Sequence, residues 1–183
     1  MYRTADRAVD VDGLSVFYRD AGPQDAPAIL LLHGFPSSSR MWQPLLDRLA
    51  DRFRLVAPDY PGFGHSDAPS HTEFAYTFDR LAEVVGHFTE ALGLTTYTLV
   101  MQDYGGPVGF RLAIAHPENY DPDLWTDELA FLSGPGQQDI QADLFYDYRT
   151  NVHVLGAGHF ALDEQPDLIA DLTRRFLQRR DQV

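Results

Sequence analysis

A chain of 183 residues, 44% apolar and 22% charged, is long enough for one domain with a sizeable core, and this balance excludes a disordered chain, a collagen and a coiled coil. Its 14 basic residues are all arginine and stand against 27 acidic ones; the net charge of −13 argues against a nucleic-acid backbone or an anionic membrane as partner, and the lack of lysine removes Schiff-base chemistry. There is no cysteine, which excludes disulfides, thiol nucleophiles and cysteine-ligated metals. The polar start, Met1 to Arg7, is not followed by an apolar stretch and does not read as a secretory signal. The longest aliphatic run, Ala28 to Leu32, is far short of the ~20 residues of a membrane helix. The expectation is a soluble, cytoplasmic protein that meets a small molecule, neutral or cationic, and neither nucleic acid nor membrane.

In chain order, Val11 to Arg19 holds a turn-like Asp12-Gly13 between short apolar stretches, which predicts a hairpin. Ala28 to Leu32 is a continuous apolar run ended by His33-Gly34 and suits a strand buried on both faces of a parallel sheet. Trp42, Leu45, Leu46 and Leu49 fall at helical spacing within Met41 to Ala50. Arg54 to Ala57 predicts the next strand, stopped by Pro58, and Asp59 to Pro69 is a Gly- and Pro-rich loop. Phe78, Leu81, Val84, Val85, Phe88 and Leu92 mark a long amphipathic helix with Gly93 as its stop. Tyr97 to Met101 reads as a strand and Gly105 to Ala115 as a helix ending before His116-Pro117. Beyond it, Asn119 to Ser133 and Gly136 to Tyr148 read as helices rich in aromatics and acids, and Asn151 to Leu155 as a short strand. Asp163 to Arg180 closes the chain as a helix with Leu168, Leu172 and Phe176 on one face and arginines at its C-terminal end, where the helix dipole favours them.

Alternating strands and helices predict one α/β domain with a mostly parallel sheet and flanking helices. Such sheets carry their sites at the carboxyl ends of the strands. That rule selects His33 to Pro36, Asp59 to Ser66 and Gln102 to Gly106. In Met101-Gln102-Asp103-Tyr104-Gly105-Gly106, a polar residue sits between strand and helix with two glycines behind it. A sharp turn there lifts the Asp103 side chain into the open beside helix N–H groups; the plainer alternative is that Asp103 caps the helix. His33-Gly34-Phe35-Pro36 is either an ordinary turn or one that aims backbone N–H groups at developing negative charge. Gly158-His159-Phe160 places a histidine, structural or catalytic, on a Gly-flanked loop.

Taken together, Leu31 to Pro36, Ala57 to Asp67, Val100 to Gly106 and Gly158 to Phe160 resemble the α/β-hydrolase superfamily, in particular its epoxide hydrolase and haloalkane dehalogenase branch. The resemblance covers residues 10–118 and the last thirty or so. It implies that Asp103 is the nucleophile that forms a covalent alkyl-enzyme ester, and that His159 is the base that activates water to hydrolyse it. It further implies that the Phe35 and Tyr104 N–H groups form the oxyanion hole, and it implies no cofactor. In the dehalogenase branch the positions of Phe35 and Tyr104 usually hold Asn and Trp, which grip the halide; the departure favours an epoxide substrate. Epoxide hydrolases protonate the epoxide oxygen from paired tyrosines on a helical cap, and Tyr146 and Tyr148 lie in cap-like sequence, where plain packing is the alternative role.

Two other patterns carry no chemistry. Gly64-His65-Ser66-Asp67-Ala68 imitates a serine elbow but lacks the strand before and the helix after it. Asp121, Asp123, Asp127 and Glu128 have no metal-loop spacing and suit a helix start.

The pattern also breaks. Only 55 residues, positions 104–158, separate Asp103 from His159. The family places two further strands, their helices and a full cap in that interval, so two core strands and most of the cap are expected to be missing, with 119–150 a cap remnant. No residue matches the acid that orients the family's histidine; Asp163 and Glu164 head the last helix. Hence two functions stand side by side: an Asp-ester hydrolase of small neutral molecules, and a catalytically impaired ligand-binding or interaction protein descended from one. The exposed sheet edge is compatible with a compact homodimer and with an aggregation-prone fragment.

Overall fold

A computed structural model describes residues 2–116, 166–167, 169–171 and 173–174. Asp12 and Gly13 both adopt positive φ, 56° and 79°, the left-handed pair of a two-residue hairpin turn. They join β1 (Ala5–Val11) to β2 (Leu14–Ala21) as an antiparallel pair in which Val9 faces Val16. β3 (Ala28–Leu32), β4 (Arg54–Pro58) and β5 (Tyr97–Met101) follow where the apolar runs predict them. The five described strands lie in the order β1-β2-β4-β3-β5. β3 is parallel to both β4 and β5, whereas β2 joins β4 antiparallel, from Tyr18 opposite Pro58 to Ala21 opposite Leu55. The described sheet is therefore mixed: its parallel part is β4-β3-β5, and the hairpin extends it on one side.

Two-residue alternation sends the β3 side chains to opposite faces. Leu30 and Leu32 join a core with Val56, Tyr60, Phe88 and Val108, while Ile29 and Leu31 join one with Trp42, Leu45 and Leu55. Helices on both faces are what a continuous apolar strand requires, because neither face can be left to water. α1 (Gln43–Leu49) follows a 3₁₀ turn, Ser39–Trp42, whose cap is the Ser38 hydroxyl. The α-helix begins later than Met41 because Pro44 fits only its first turn, where its missing N–H is no loss.

α2 (Phe78–Ala91) starts at Thr77, whose hydroxyl accepts from the Arg80 N–H at 3.2 Å. It buries Leu81, Val84, Val85 and Phe88, each worth about 1.5–3 kcal/mol. Gly93 ends it at φ 65°. α3 (Gly105–Ala115) packs against β3, β5 and α2. Within the expected C-terminal helix, residues 166–167, 169–171 and 173–174 are helical and set Ile169 and Ala170 against the α1-side core. Arg48 with Asp167 at 2.6 Å and Arg174 with Asp51 at 2.8 Å tie that segment to the end of α1. The helices expected over 119–133 and 136–148, the strand over 151–155 and the cap remnant lie outside the described residues. Among those described, no helix is long and apolar enough to cross a membrane.

Candidate active site

Three chain segments meet at the carboxyl ends of β3, β4 and β5. The turn after β5 is built by Gly105 N–H to Gln102 O at 2.8 Å and Gly106 N–H to Asp103 O at 2.9 Å. Between these bonds Asp103 takes φ 53°, a left-handed conformation that costs a non-glycine residue roughly 1–2 kcal/mol. The strain persists because the surroundings allow no other path. A methyl group at Gly105 would collide with the Leu32 carbonyl and one at Gly109 with the Met101 thioether, so small residues let α3 lie directly on the sheet. Asp103 is not the helix cap: that position is Tyr104, with no capping side-chain bond.

The Asp103 side chain is exposed, and its Oδ1 accepts from the Phe35 N–H at 2.8 Å. Gly34 permits this approach, since a Cβ there would strike the Asp103 side chain. The N–H of Tyr104, the residue after Asp103, has no hydrogen bond among the described residues. The Phe35 and Tyr104 rings stand 5.4 Å apart, and Phe78 meets Tyr104 edge-on at 5.1 Å. An aromatic rim thus borders the carboxylate, and Phe35 remains 54% exposed. Neither Phe35 nor Tyr104 offers the side-chain N–H of an Asn or Trp.

Beneath the rim, His33 is fully buried. Its Nε2 accepts from the Tyr60 N–H at 3.2 Å, which leaves the proton of the neutral ring on Nδ1, 3.1 Å from the Gly34 carbonyl. Burial holds this imidazole below its ordinary value of 6.5, so the neutral form is favoured. The Tyr60 ring lies 4.1 Å from it. Burial, and then the charge of Asp103, push the Tyr60 phenol up. Its hydroxyl has no partner among the described residues.

A second carboxylate holds the frame. Asp59, at the end of β4, is fully buried, and its oxygens accept from the Ser39 N–H at 2.6 Å and the His65 N–H at 2.8 Å. Gly64 stands so close to it that any side chain would collide. Ser66, in the false serine elbow, is committed to structure: its hydroxyl donates to the Asp59 carbonyl at 2.7 Å and accepts from the Phe17 N–H at 2.9 Å.

Of the residues singled out from sequence, Asp103, Phe35 and Tyr104 come together. His159, Tyr146, Tyr148, Asp163, Glu164 and the acids at 121, 123, 127 and 128 lie outside the described residues. Sequence reasoning placed His33, Asp59 and Tyr60 in segments at the strand ends but gave their side chains no role, and it missed Phe78 as part of the site. The available signal was an Asp directly after a strand, followed by Gly62 and Gly64, which take φ 85° and 53°. Among the described residues no group of three or more His, Asp or Glu could hold a metal.

Comparison with known proteins gives a consistent picture. A family model described as alpha/beta hydrolase fold matches residues 27–121. An uncharacterized hydrolase of Saccharomyces cerevisiae is 31% identical over 210 positions, which cover 80% of this chain and 72% of the relative. That alignment is longer than this whole chain, so an internal stretch of the relative lies opposite gaps here, consistent with a shortened chain. Haloalkane dehalogenase 2 of Mycobacterium tuberculosis is 41% identical over 114 residues, 62% of this chain and 38% of the relative. An epoxide hydrolase from Vigna radiata superposes with a TM-score of 0.59 at 32% identity, over 63% of this chain and 35% of that one. The chain thus matches little more than a third of the length of these last two.

Proposed function

The chain belongs to the alpha/beta hydrolase fold family, and from that premise we propose that it hydrolyses small, uncharged organic molecules through an ester on Asp103, an epoxide in preference to a haloalkane. The observation that carries this reading is the 2.8 Å bond from the Phe35 N–H to Asp103 Oδ1. A serine hydrolase needs its N–H donors where the substrate oxygen will be. An aspartate nucleophile becomes the carbonyl that water later attacks, so the donor must touch the aspartate itself.

In the first step the free carboxylate oxygen of Asp103 attacks carbon, an ester C–O bond forms and the epoxide C–O bond breaks. The leaving oxygen remains on the product and takes a proton. Water then adds to the Asp103 carboxyl carbon while His159, in the role its resemblance gives it, accepts the water proton. Negative charge collects on Oδ1, facing the Phe35 N–H. Collapse breaks the ester C–O bond, and His159 returns its proton to the departing alkoxide, giving the diol. The proton left on the Asp103 carboxyl passes to solvent, offsetting the one taken by the epoxide oxygen and restoring the carboxylate. Phe35 and Tyr104, which lack the side-chain N–H of the Asn and Trp that grip a halide, support the epoxide over the haloalkane.

Incubation with epoxide and haloalkane panels, followed by intact-protein and peptide mass spectrometry, tests the proposal. A single turnover in ¹⁸O-water is expected to label Asp103 and leave the first diol unlabelled, because water attacks the ester carbonyl. Absence of both product and an Asp103 adduct across both panels overturns it. A second reading, a ligand-binding protein with little turnover, is favoured by the exposure of Asp103, since an open carboxylate is poorly shielded from water. Under that reading Asp103→Asn leaves ligand affinity unchanged and no adduct is found.

A further inference from the structure

We propose that His33 is a positioning residue: its Nδ1–H bond to the Gly34 carbonyl sets the plane of the Gly34–Phe35 peptide and so aims the Phe35 N–H at Asp103. The claim rests on the reading of Asp103 as the ester-forming residue. A trans peptide carries its C=O and the following N–H in one plane, pointing in opposite directions. The cis bond in this turn is Phe35–Pro36, so Gly34–Phe35 is trans. Holding the Gly34 oxygen on one side therefore directs the Phe35 hydrogen to the other, where it meets Oδ1 at 2.8 Å.

The carbonyl is held twice, by His33 Nδ1 at 3.1 Å and by the Ser37 N–H at 3.0 Å. With one bond the peptide could pivot about it; with two, both lone pairs are filled and the plane is fixed. External fixing is needed here because residue 34 is glycine, the residue whose backbone rotates most freely, and Asp103 leaves no room for anything larger. The His33 ring is itself immobilised. Tyr60 donates its N–H to Nε2 and covers one side of the ring at 4.1 Å, while Phe63 meets it edge-on at 5.3 Å. Burial favours the neutral imidazole, and in that form the Tyr60 bond leaves the hydrogen on the nitrogen facing Gly34. A continuous chain of contacts then runs from the end of β4, through the turn after β3, to the carboxylate after β5.

The tautomer is read first, in the unaltered full-length chain, by long-range ¹H–¹⁵N correlation. Hydrogen on Nδ1 is expected; hydrogen on Nε2 overturns the proposal without any variant. Two substitutions then separate positioning from bulk. Asn carries its amide nitrogen near the place of Nδ1 and can still donate to Gly34 O; Gln extends to the place of Nε2 and keeps only an acceptor for Tyr60. With the Phe35 amide assigned, its proton shift is expected to follow the titration of the Asp103 carboxylate in the parent and in His33→Asn, and to lose that response in His33→Gln. In the same variants, release of the Asp103 ester is expected to slow tenfold or more in Gln, towards the ~10²-fold loss of one oxyanion donor. Ester formation slows less, and Asn restores release to within about threefold, the smaller side of that donor effect. Folded Asn and Gln variants with the same amide response and the same release rate overturn the claim. If the parent forms no ester at all, the hydrolase reading fails, and the tautomer and the amide response still decide whether His33 sets the peptide plane.

Discussion

Asp59 and Asp103 are both aspartates just beyond the end of a central strand, and the structure uses them in opposite ways. Asp59 is buried, meets two backbone N–H groups and ties the loop after β4 to the 3₁₀ turn ahead of α1. Asp103 is exposed, accepts one backbone N–H and sits on a strained backbone. A carboxylate with both oxygens bonded to a rigid backbone is a brace. One with an oxygen left open, on a turn that costs energy to hold, is placed for a ligand.

The sharpest test of this contrast is Asp103→Asn. Turnover of any epoxide is expected to fall by ~10⁴-fold or more, as when a nucleophile is removed, with stability within about 1 kcal/mol of the parent by urea denaturation. A large loss of stability would make Asp103 a brace as well. Asp59→Ala is expected to give the mirror result. The buried Ser39 N–H and the part-buried His65 N–H lose their acceptor, the buried one alone costing about 1–3 kcal/mol, so the urea midpoint drops while the folded protein still forms the Asp103 ester.

A smaller effect belongs to His33. Its folded value lies below 6.5, so between those limits the unfolded chain binds a proton that the folded chain refuses. Stability is therefore lost as pH falls through about 6.5 towards the folded value. Denaturation curves at a series of pH values are expected to show this slope in the parent and a shallower one in His33→Asn. The smallest effect lies far from the site, at the ion pair between Asp51 and Arg174. The Arg174 hydrogen bond holds the Asp51 carboxyl below its ordinary value of 3.8, so its contribution is complete above that value and is lost as pH falls through the folded one. The pair is exposed and water screens it, so the expected outcome is local: lower hydrogen-exchange protection at residues 173–174 in acid, a change diminished in Asp51→Asn.

Particular residues show which parts of the molecule could be read from the chain. Ala28 to Leu32 and Tyr97 to Met101 are legible because a buried strand must be apolar throughout, and Gly93 marks the end of α2 because a left-handed stop favours glycine. Met41 and Trp42 were harder: their spacing suits an α-helix, and the tighter turn they form answers to Ser38 and Pro44. Asp103 before Gly105-Gly106 is ambiguous by nature, since a cap and an elbow use the same letters. Its role depends on Phe35, 68 positions earlier, crossing from another strand to meet it. The role of the His33 side chain was hidden for a similar reason, as its two bonds are meaningful only once Tyr60 and Gly34 surround it.

Local chemistry in the sequence by itself determined where the described strands and helices form, that both faces of the central sheet must be covered, and that an aspartate stands at a strand-to-helix turn with glycines behind it. Only the tertiary structure decided that the hairpin joins the sheet antiparallel, that Asp59 is a brace, and that Asp103 is open and held by an N–H from β3's loop. Backbone preference and burial act between near neighbours along the chain, whereas hydrogen bonds across strands depend on which distant segments the packed core brings side by side.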